Sequence, residues 1–347
     1  MGILRFLLAL SVLAVHAFSI QFPISSGDEK SFWQMYLIDG RQSVALFYII
    51  SGFYMAMVLN TKYVNTTLKF YVSRFLRLWP TYIVVLILTC LFTNIVSDIV
   101  TATADAGLLV KAYVWLSNIL ILGTDSFWLL SLDAGQLHYL PHFINENSNG
   151  CFLLINSPSF TISIEIIFYL MAPFILKSLR RVWIYFGIGV LYHFYFVLSG
   201  NNNIIFQYHM FPSSFIYFGL GALAWYYSKN KSFQLTEKNI LLLFISCLAL
   251  MFANTLLPMI IIIGFTILVP KLFDLTKHSR TDKLIGELSY PMYIVHYPVL
   301  MYFGGVNVSR DYLGFICLGI TLTISVLLHF IVERPIEKWR QKLAITP

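Results

Sequence analysis

Ten apolar runs of roughly span length punctuate this chain, at about 5–22, 42–60, 78–97, 158–176, 182–199, 209–227, 239–256, 258–273, 285–304 and 313–332. A bilayer core needs about 20 apolar residues per helix, and only helices or closed barrels can satisfy every backbone group there. The expected fold is therefore all-α: a polytopic membrane helix bundle with about ten transmembrane helices. Composition agrees. Of 347 residues, 58% are hydrophobic and only 11% charged, against about a quarter charged in soluble domains. A cytosolic enzyme, a nucleic-acid-binding module and a disordered tail are excluded.

An eleventh run, 108–123, carries Lys111 and Asn118, and its clean stretch is short. Charge decides how to treat it. If it does not cross and the N-terminus is cytoplasmic, 19 of the 23 Lys and Arg residues fall inside, and only Lys30, Arg41, Lys111 and Arg310 fall outside. Counting it as a span would put Lys177, Arg180, Arg181 and the basic C-terminal segment outside, against the positive-inside rule. The expectation is both termini cytoplasmic, with a re-entrant or interfacial segment near 108–123. A cleaved signal peptide is disfavoured for the first run, because His16 interrupts it and no small-x-small site follows. Cys90, Cys151, Cys247 and Cys317 are widely spaced, so neither a disulfide framework nor a CxxC site is expected.

Ionisable side chains inside hydrocarbon are costly and mark function. Arg5 and His16 are eleven residues apart, close to three helical turns, so both share a face about 16 Å apart along the axis. Glu165 enters its helix about two turns from the outer side, near the depth expected for His16. A carboxylate there orients a histidine in one tautomer. His296 lies at similar depth, with Tyr290 and Tyr293 nearby. Arg74 and Arg77, at i,i+3, share a face at the inner mouth of the third span and suit a phosphate ligand. For each, the competing reading is structural: a helix-packing histidine, a protonated glutamate on a carbonyl, or arginines that anchor topology. His329, one turn before Glu333, reads as structural. His138 and His142 are split by Pro141 and lack a third ligand, so no metal site is expected.

Together these residues resemble the membrane-bound acyltransferase 3 family, which includes O-antigen and other cell-surface polysaccharide O-acetylases. Arg5 through His16 is similar to the family's Arg-ten-residues-His signature, and Leu46 through Phe53 to its FFxLSGF segment. Arg74, Arg77 and Pro80 match RxxR-x-x-P. Phe160 through Leu170, around Glu165, is similar to WSLxxExxFYL. Gly286 through His296 matches the late GxxSYxxYLxH element, and Glu333-Arg334-Pro335 the terminal ERP. The chain departs from the pattern at Phe160, Thr161 and Ser43-Val44-Ala45.

The resemblance implies one transmembrane acyltransferase domain over 1–347 with no appended soluble domain, in the bacterial inner (plasma) membrane. It implies transfer of an acetyl group from cytoplasmic acetyl-CoA to a hydroxyl of a cell-surface or lipid-linked carbohydrate outside. His16 would act as general base or carry the acyl group, Glu165 would orient it, and His296 would assist. Arg74 and Arg77 would hold the CoA phosphates, with Arg5 adding charge. On outer loops 23–41 and 124–157, Trp33, Tyr36, Trp128 and Tyr139 are candidate sugar-stacking rings, and Tyr290 and Tyr293 would line the substrate site. Partners are the carbohydrate acceptor and the bilayer, with no nucleic acid and the oligomeric state open. The competing class is a secondary transporter or flippase using Glu165 and His16 as a proton relay. No internal repeat of the kind transporters often carry is visible.

Overall fold

Hydrocarbon leaves the backbone no water to bond, so apolar runs close their hydrogen bonds within helices. The computed structural model describes residues 1–19, 39–140, 149–200, 203–229, 256–303 and 310–345. Thirteen α-helices lie among them: α1 (Gly2–Ser19), α2 (Gly40–Thr61), α3 (Thr67–Phe92), α4 (Ile95–Ala102), α5 (Leu108–Leu120), α6 (Ser159–Ile175), α7 (Leu179–Leu198), α8 (Phe215–Lys229), α9 (Leu256–Thr276), α10 (Arg280–Glu287), α11 (Ser289–Phe303), α12 (Arg310–Leu328) and α13 (Arg334–Ile345). Among the described residues, five stretches are long and apolar enough to cross a membrane: α2, α3, α7, Met259–Thr276 and Tyr312–Gln341. The segments Gly2–Phe18, Leu108–Leu120 and Ser159–Ile175 are apolar but shorter. The run at 239–256 falls almost entirely outside the described residues.

Several boundaries differ from the sequence reading. The third span begins at Thr67 rather than 78, so Arg74 and Arg77 sit inside α3. The run 209–227 becomes helical only at Phe215, after a π turn and a 3-10 turn. The run 285–304 breaks at Leu288 into α10 and α11, because Ser289 restarts the helix with its hydroxyl on the Gly286 carbonyl. The last span ends in a π turn, His329–Glu333, before α13. A further departure from an all-helical chain is a small antiparallel hairpin, β1 (Leu130–Asp133) with β2 (Gln136–Tyr139). Its two-residue turn has positive φ at Ala134 (45°) and Gly135 (73°), the geometry that matches strand twist in a tight hairpin.

The centre of the bundle is the crossing of α2 and α8. A Cβ on Gly52 would lie 2.1 Å from the Phe218 carbonyl oxygen, and one on Gly221 1.9 Å from that of Ile49. The two backbones touch, which only glycine permits, and such small-residue crossings are how membrane helices approach closely. Phe168 stacks on Phe218 at 3.9 Å and ties α6 to the same core.

Helix α5 has 13 residues, about 20 Å of rise, short of a ~30 Å core. Asn118 fixes it: its amide donates to the Val114 and Leu153 carbonyls at 2.9 Å, its Oδ1 accepts from Ile155 N–H at 2.7 Å, and its own carbonyl accepts from Tyr82 at 2.9 Å. The polar residue that looked out of place in an apolar run is a fully bonded joint.

Candidate active site

One end of the bundle collects basic side chains from distant segments. A cavity of about 470 Å³ opens there, with Arg5 of α1, Arg74 and Arg77 of α3, Lys277, Lys283, and Arg340 of α13 in its wall. Arg340 is held by Glu337 and Ser73. Arg74 lies 5.8 Å over both the Phe70 and Tyr169 rings, and its buried Nε has no hydrogen-bond partner. Among the described residues, no acceptor reaches the guanidiniums of Arg5 or Arg77. Arg74 Nη2 reaches only the neighbouring Ser73 Oγ, at 3.3 Å, so two open guanidiniums and a third with a free Nε face one cavity, an arrangement of donors that phosphate geometry suits.

Anchoring α1 beside this mouth is the Asp282 carboxylate of α10. It accepts from the Met1 amine at 2.8 Å and from the Gly2 and Ile3 backbone N–H groups at 2.6 and 3.0 Å. A carboxylate is thus placed on the orphan donors at a helix start. Burial by itself raises this carboxyl, but those donors outweigh it and hold the group below the ordinary aspartate range.

Midway up the cavity stands Glu165 of α6, with Ser51 of α2 and Tyr169 one turn on. Its Oε1 accepts from Ser51 Oγ at 2.8 Å and from the Tyr169 hydroxyl. The expected pairing of Glu165 with His16 is not what forms. Similar depth on two helices does not fix the direction each side chain takes around its axis, and Tyr169 at i+4 with Ser51 opposite satisfy the carboxylate first. The cavity's upper wall includes Phe47, Tyr48, Thr161 and Tyr293, and the Thr161 and Tyr293 hydroxyls bond each other at 2.8 Å.

Beyond Tyr293 lies the histidine pair. His16 Nδ1 is 3.1 Å from His296 Nε2, and the ring planes are nearly parallel, 8° apart. His296 is fully buried, and its Nδ1 meets the Tyr293 carbonyl oxygen at 2.5 Å. A carbonyl only accepts. His296 Nδ1 therefore carries the proton, and in the neutral ring Nε2 is the acceptor. His16 Nδ1 then donates, which leaves the lone pair of neutral His16 on Nε2. This is how a neighbouring bond selects a histidine tautomer. His16 is exposed, whereas its partner is not. The accessible ring carries the basic nitrogen and the buried ring sets it.

A model of the acyltransferase 3 family, described as an acyltransferase domain, matches residues 1–330. The chain belongs to the acyltransferase 3 family. No curated protein and no solved structure matches it. The matched region of this acyltransferase contains Arg5, His16, Arg74, Arg77, Glu165 and His296.

The other expected site residues divide between the cavity wall and places away from it. In this acyltransferase Tyr290 lines the same cavity, and its buried hydroxyl donates to the Leu78 carbonyl at 2.7 Å, which ties α11 to α3. Tyr293 is tied to Thr161 and supports His296 through its carbonyl. The Trp128 ring is stacked at 3.8 Å on His209 and meets Phe160 edge-on, so one face is already covered. Tyr139 is exposed at the end of β2. Trp33, Tyr36 and His142 lie outside the described residues. Ser51, Thr161 and Tyr169 were not singled out from sequence for the roles they take, although Tyr169 at i+4 from Glu165 was a same-face neighbour. Lys277, Lys283 and Arg340 were counted only as topology charges.

Proposed function

We propose that this acyltransferase moves an acyl group, acetyl in the simplest case, from cytoplasmic acyl-CoA to a hydroxyl of a cell-surface or lipid-linked carbohydrate at the outer face of a bacterial inner membrane. The observation that carries the reading is the His16–His296 contact, which leaves the lone pair of neutral His16 on Nε2. At the other end of the same helix, Arg5 joins Arg74 and Arg77 around a cavity suited to the donor's phosphates.

A thioester carbonyl is electrophilic already, and the reaction lacks only a deprotonated hydroxyl in place. His16 Nε2 takes the proton of the acceptor hydroxyl as its oxygen attacks the carbonyl carbon. The C–S bond breaks, and the imidazolium returns its proton to the leaving thiolate, giving ester and free thiol. Such general-base catalysis is worth typically 10²–10⁴-fold. His296 stabilises the imidazolium and fixes the ring. Glu165, held by Ser51 and Tyr169, offsets the positive charge of the arginine cavity partway along the path and is assigned to positioning of the donor arm.

In the test, His16→Ala is inserted in the membrane at normal level and the isolated polysaccharide is examined by NMR. The expected result is loss of glycan O-acyl signals. Wild-type O-acylation in this variant would remove His16 from the mechanism.

A further inference from the structure

A second cavity, about 320 Å³, adjoins the first and shares Arg77, Lys283, Glu287 and Glu337 with it. Its wall is built by α3, α10, the π turn and α13, and brings in Arg280, Arg334 and Lys338 together with Leu76, Leu284 and Ile336. The carboxylates of this wall are already engaged. Glu287 faces Lys283 at 3.9 Å and His329 at 3.6 Å, Glu333 faces His329 at 3.4 Å, and Glu337 grips Arg340 at 2.6 Å. Among the described residues, none pairs with Arg280, Arg334 or Lys338. Arg334 lies over the Phe330 ring at 5.7 Å, which leaves its edge donors open.

The cavity therefore asks for an anion, and its surroundings say which kind. Among the described residues, no Phe, Tyr or Trp ring is in its wall to offer a broad stacking platform for a nucleotide base. Beside it, Leu284, Phe330, Ile331 and Trp339 are all exposed. Apolar surface, a tryptophan and unpaired cations gathered around one cavity are the signature of a membrane interface. Basic pockets between helices near that level take anionic lipid headgroups. We propose that this second cavity holds the phosphate headgroup of an anionic phospholipid, with the acyl chains lying along Leu284, Phe330 and Ile331. Arg77 and Lys283, common to both cavities, couple lipid occupancy to the donor site.

The full-length chain, purified and exposed to equal amounts of phosphatidylglycerol and phosphatidylcholine, is analysed by native mass spectrometry. Preferential retention of phosphatidylglycerol is expected, weakening as salt is raised. Removing two cations in Arg280→Ala plus Lys338→Ala should lower that preference about 30-fold, taking the usual contribution of a basic side chain at an anionic surface. The charge-keeping pair Arg280→Lys plus Lys338→Arg should restore it, which separates charge from misfolding. Equal retention of the two lipids, or no rescue by the charge-keeping pair, would overturn the proposal. Displacement of the phosphatidylglycerol by inorganic phosphate at constant ionic strength would assign the cavity to that anion and would overturn it equally.

Discussion

The two ends of α1 solve opposite problems. Around Arg5 the basic cavity is wide, and the guanidiniums of Arg5 and Arg77 meet no protein acceptor among the described residues. Around His16 the geometry is closed: one ring is buried, both facing nitrogens are bonded, and a single lone pair remains. A region built to bind leaves its donors open for the ligand, since a prior partner would have to be displaced. Under the proposed function, the His16 region fixes one tautomer in advance, since orientation at the moment of reaction is what accelerates proton transfer. The contrast teaches that the charge at one end and the bonding at the other are separable, and variants should separate them.

The largest effect expected belongs to the cavity arginines. Replacing Arg74 and Arg77 together by Ala removes two charge-assisted donors, each worth about 1.5–3 kcal/mol. Donor KM should rise more than 100-fold while kcat at saturating donor holds. Isothermal titration with coenzyme A checks the binding half, and unchanged affinity would return both arginines to topology anchoring. His296→Asn should do the reverse. Loss of the orienting partner of a histidine costs typically 10–100-fold, here in kcat with donor KM unaltered, measured by steady-state kinetics in membrane vesicles. If KM moved instead, the line between the two regions would be misplaced.

Tyr293→Phe sharpens the boundary. It deletes the hydroxyl bond to Thr161 but keeps the carbonyl that holds His296. We expect no more than about a tenfold loss of kcat, within what one hydrogen bond supplies. The smallest effect concerns the anchor at Asp282. Its carboxyl is held below its ordinary value, so the stability it adds is fully present above about pH 4, the unfolded value. That stability is lost as pH falls through the folded value. Asp282→Asn should lower the unfolding midpoint at neutral pH, and the gap from wild type should close in acid. A gap independent of pH would mean that the carboxylate's charge is not what anchors α1.

Periodicity and charge made much of this legible in advance. The apolar runs around α2, α3, α6, α7 and α9 were plain, and the i,i+3 spacing of Arg74 and Arg77 placed both on one face, as the cavity requires. The His16–His296 contact was not readable, because it joins residues 280 positions apart. Helical spacing gives a side chain's direction within its own helix and says nothing of which neighbour it meets. The same gap misassigned Glu165, whose partners Ser51 and Tyr169 needed the packing of α2 on α6 to be seen. The contacts that Tyr290 and Trp128 make with neighbouring elements were hidden as well, because an aromatic residue reads alike whether it meets a substrate or a neighbouring helix. The β1–β2 hairpin hid for another reason: its alternation, Leu-Ser-Leu-Asp then Gln-Leu-His-Tyr, is short and was overshadowed by the longer apolar pattern.

The account stands on one relation, a donor bound at the Arg5 end and an acceptor deprotonated at the His16 end. Sealed membrane vesicles carrying the wild-type chain, with radiolabelled acetyl-CoA on the Arg5 side and carbohydrate acceptor on the other, test it directly. Label should appear on the acceptor across the membrane, and His16→Ala vesicles should show none. Transfer only when both substrates share one side, or undiminished transfer by His16→Ala, would contradict it.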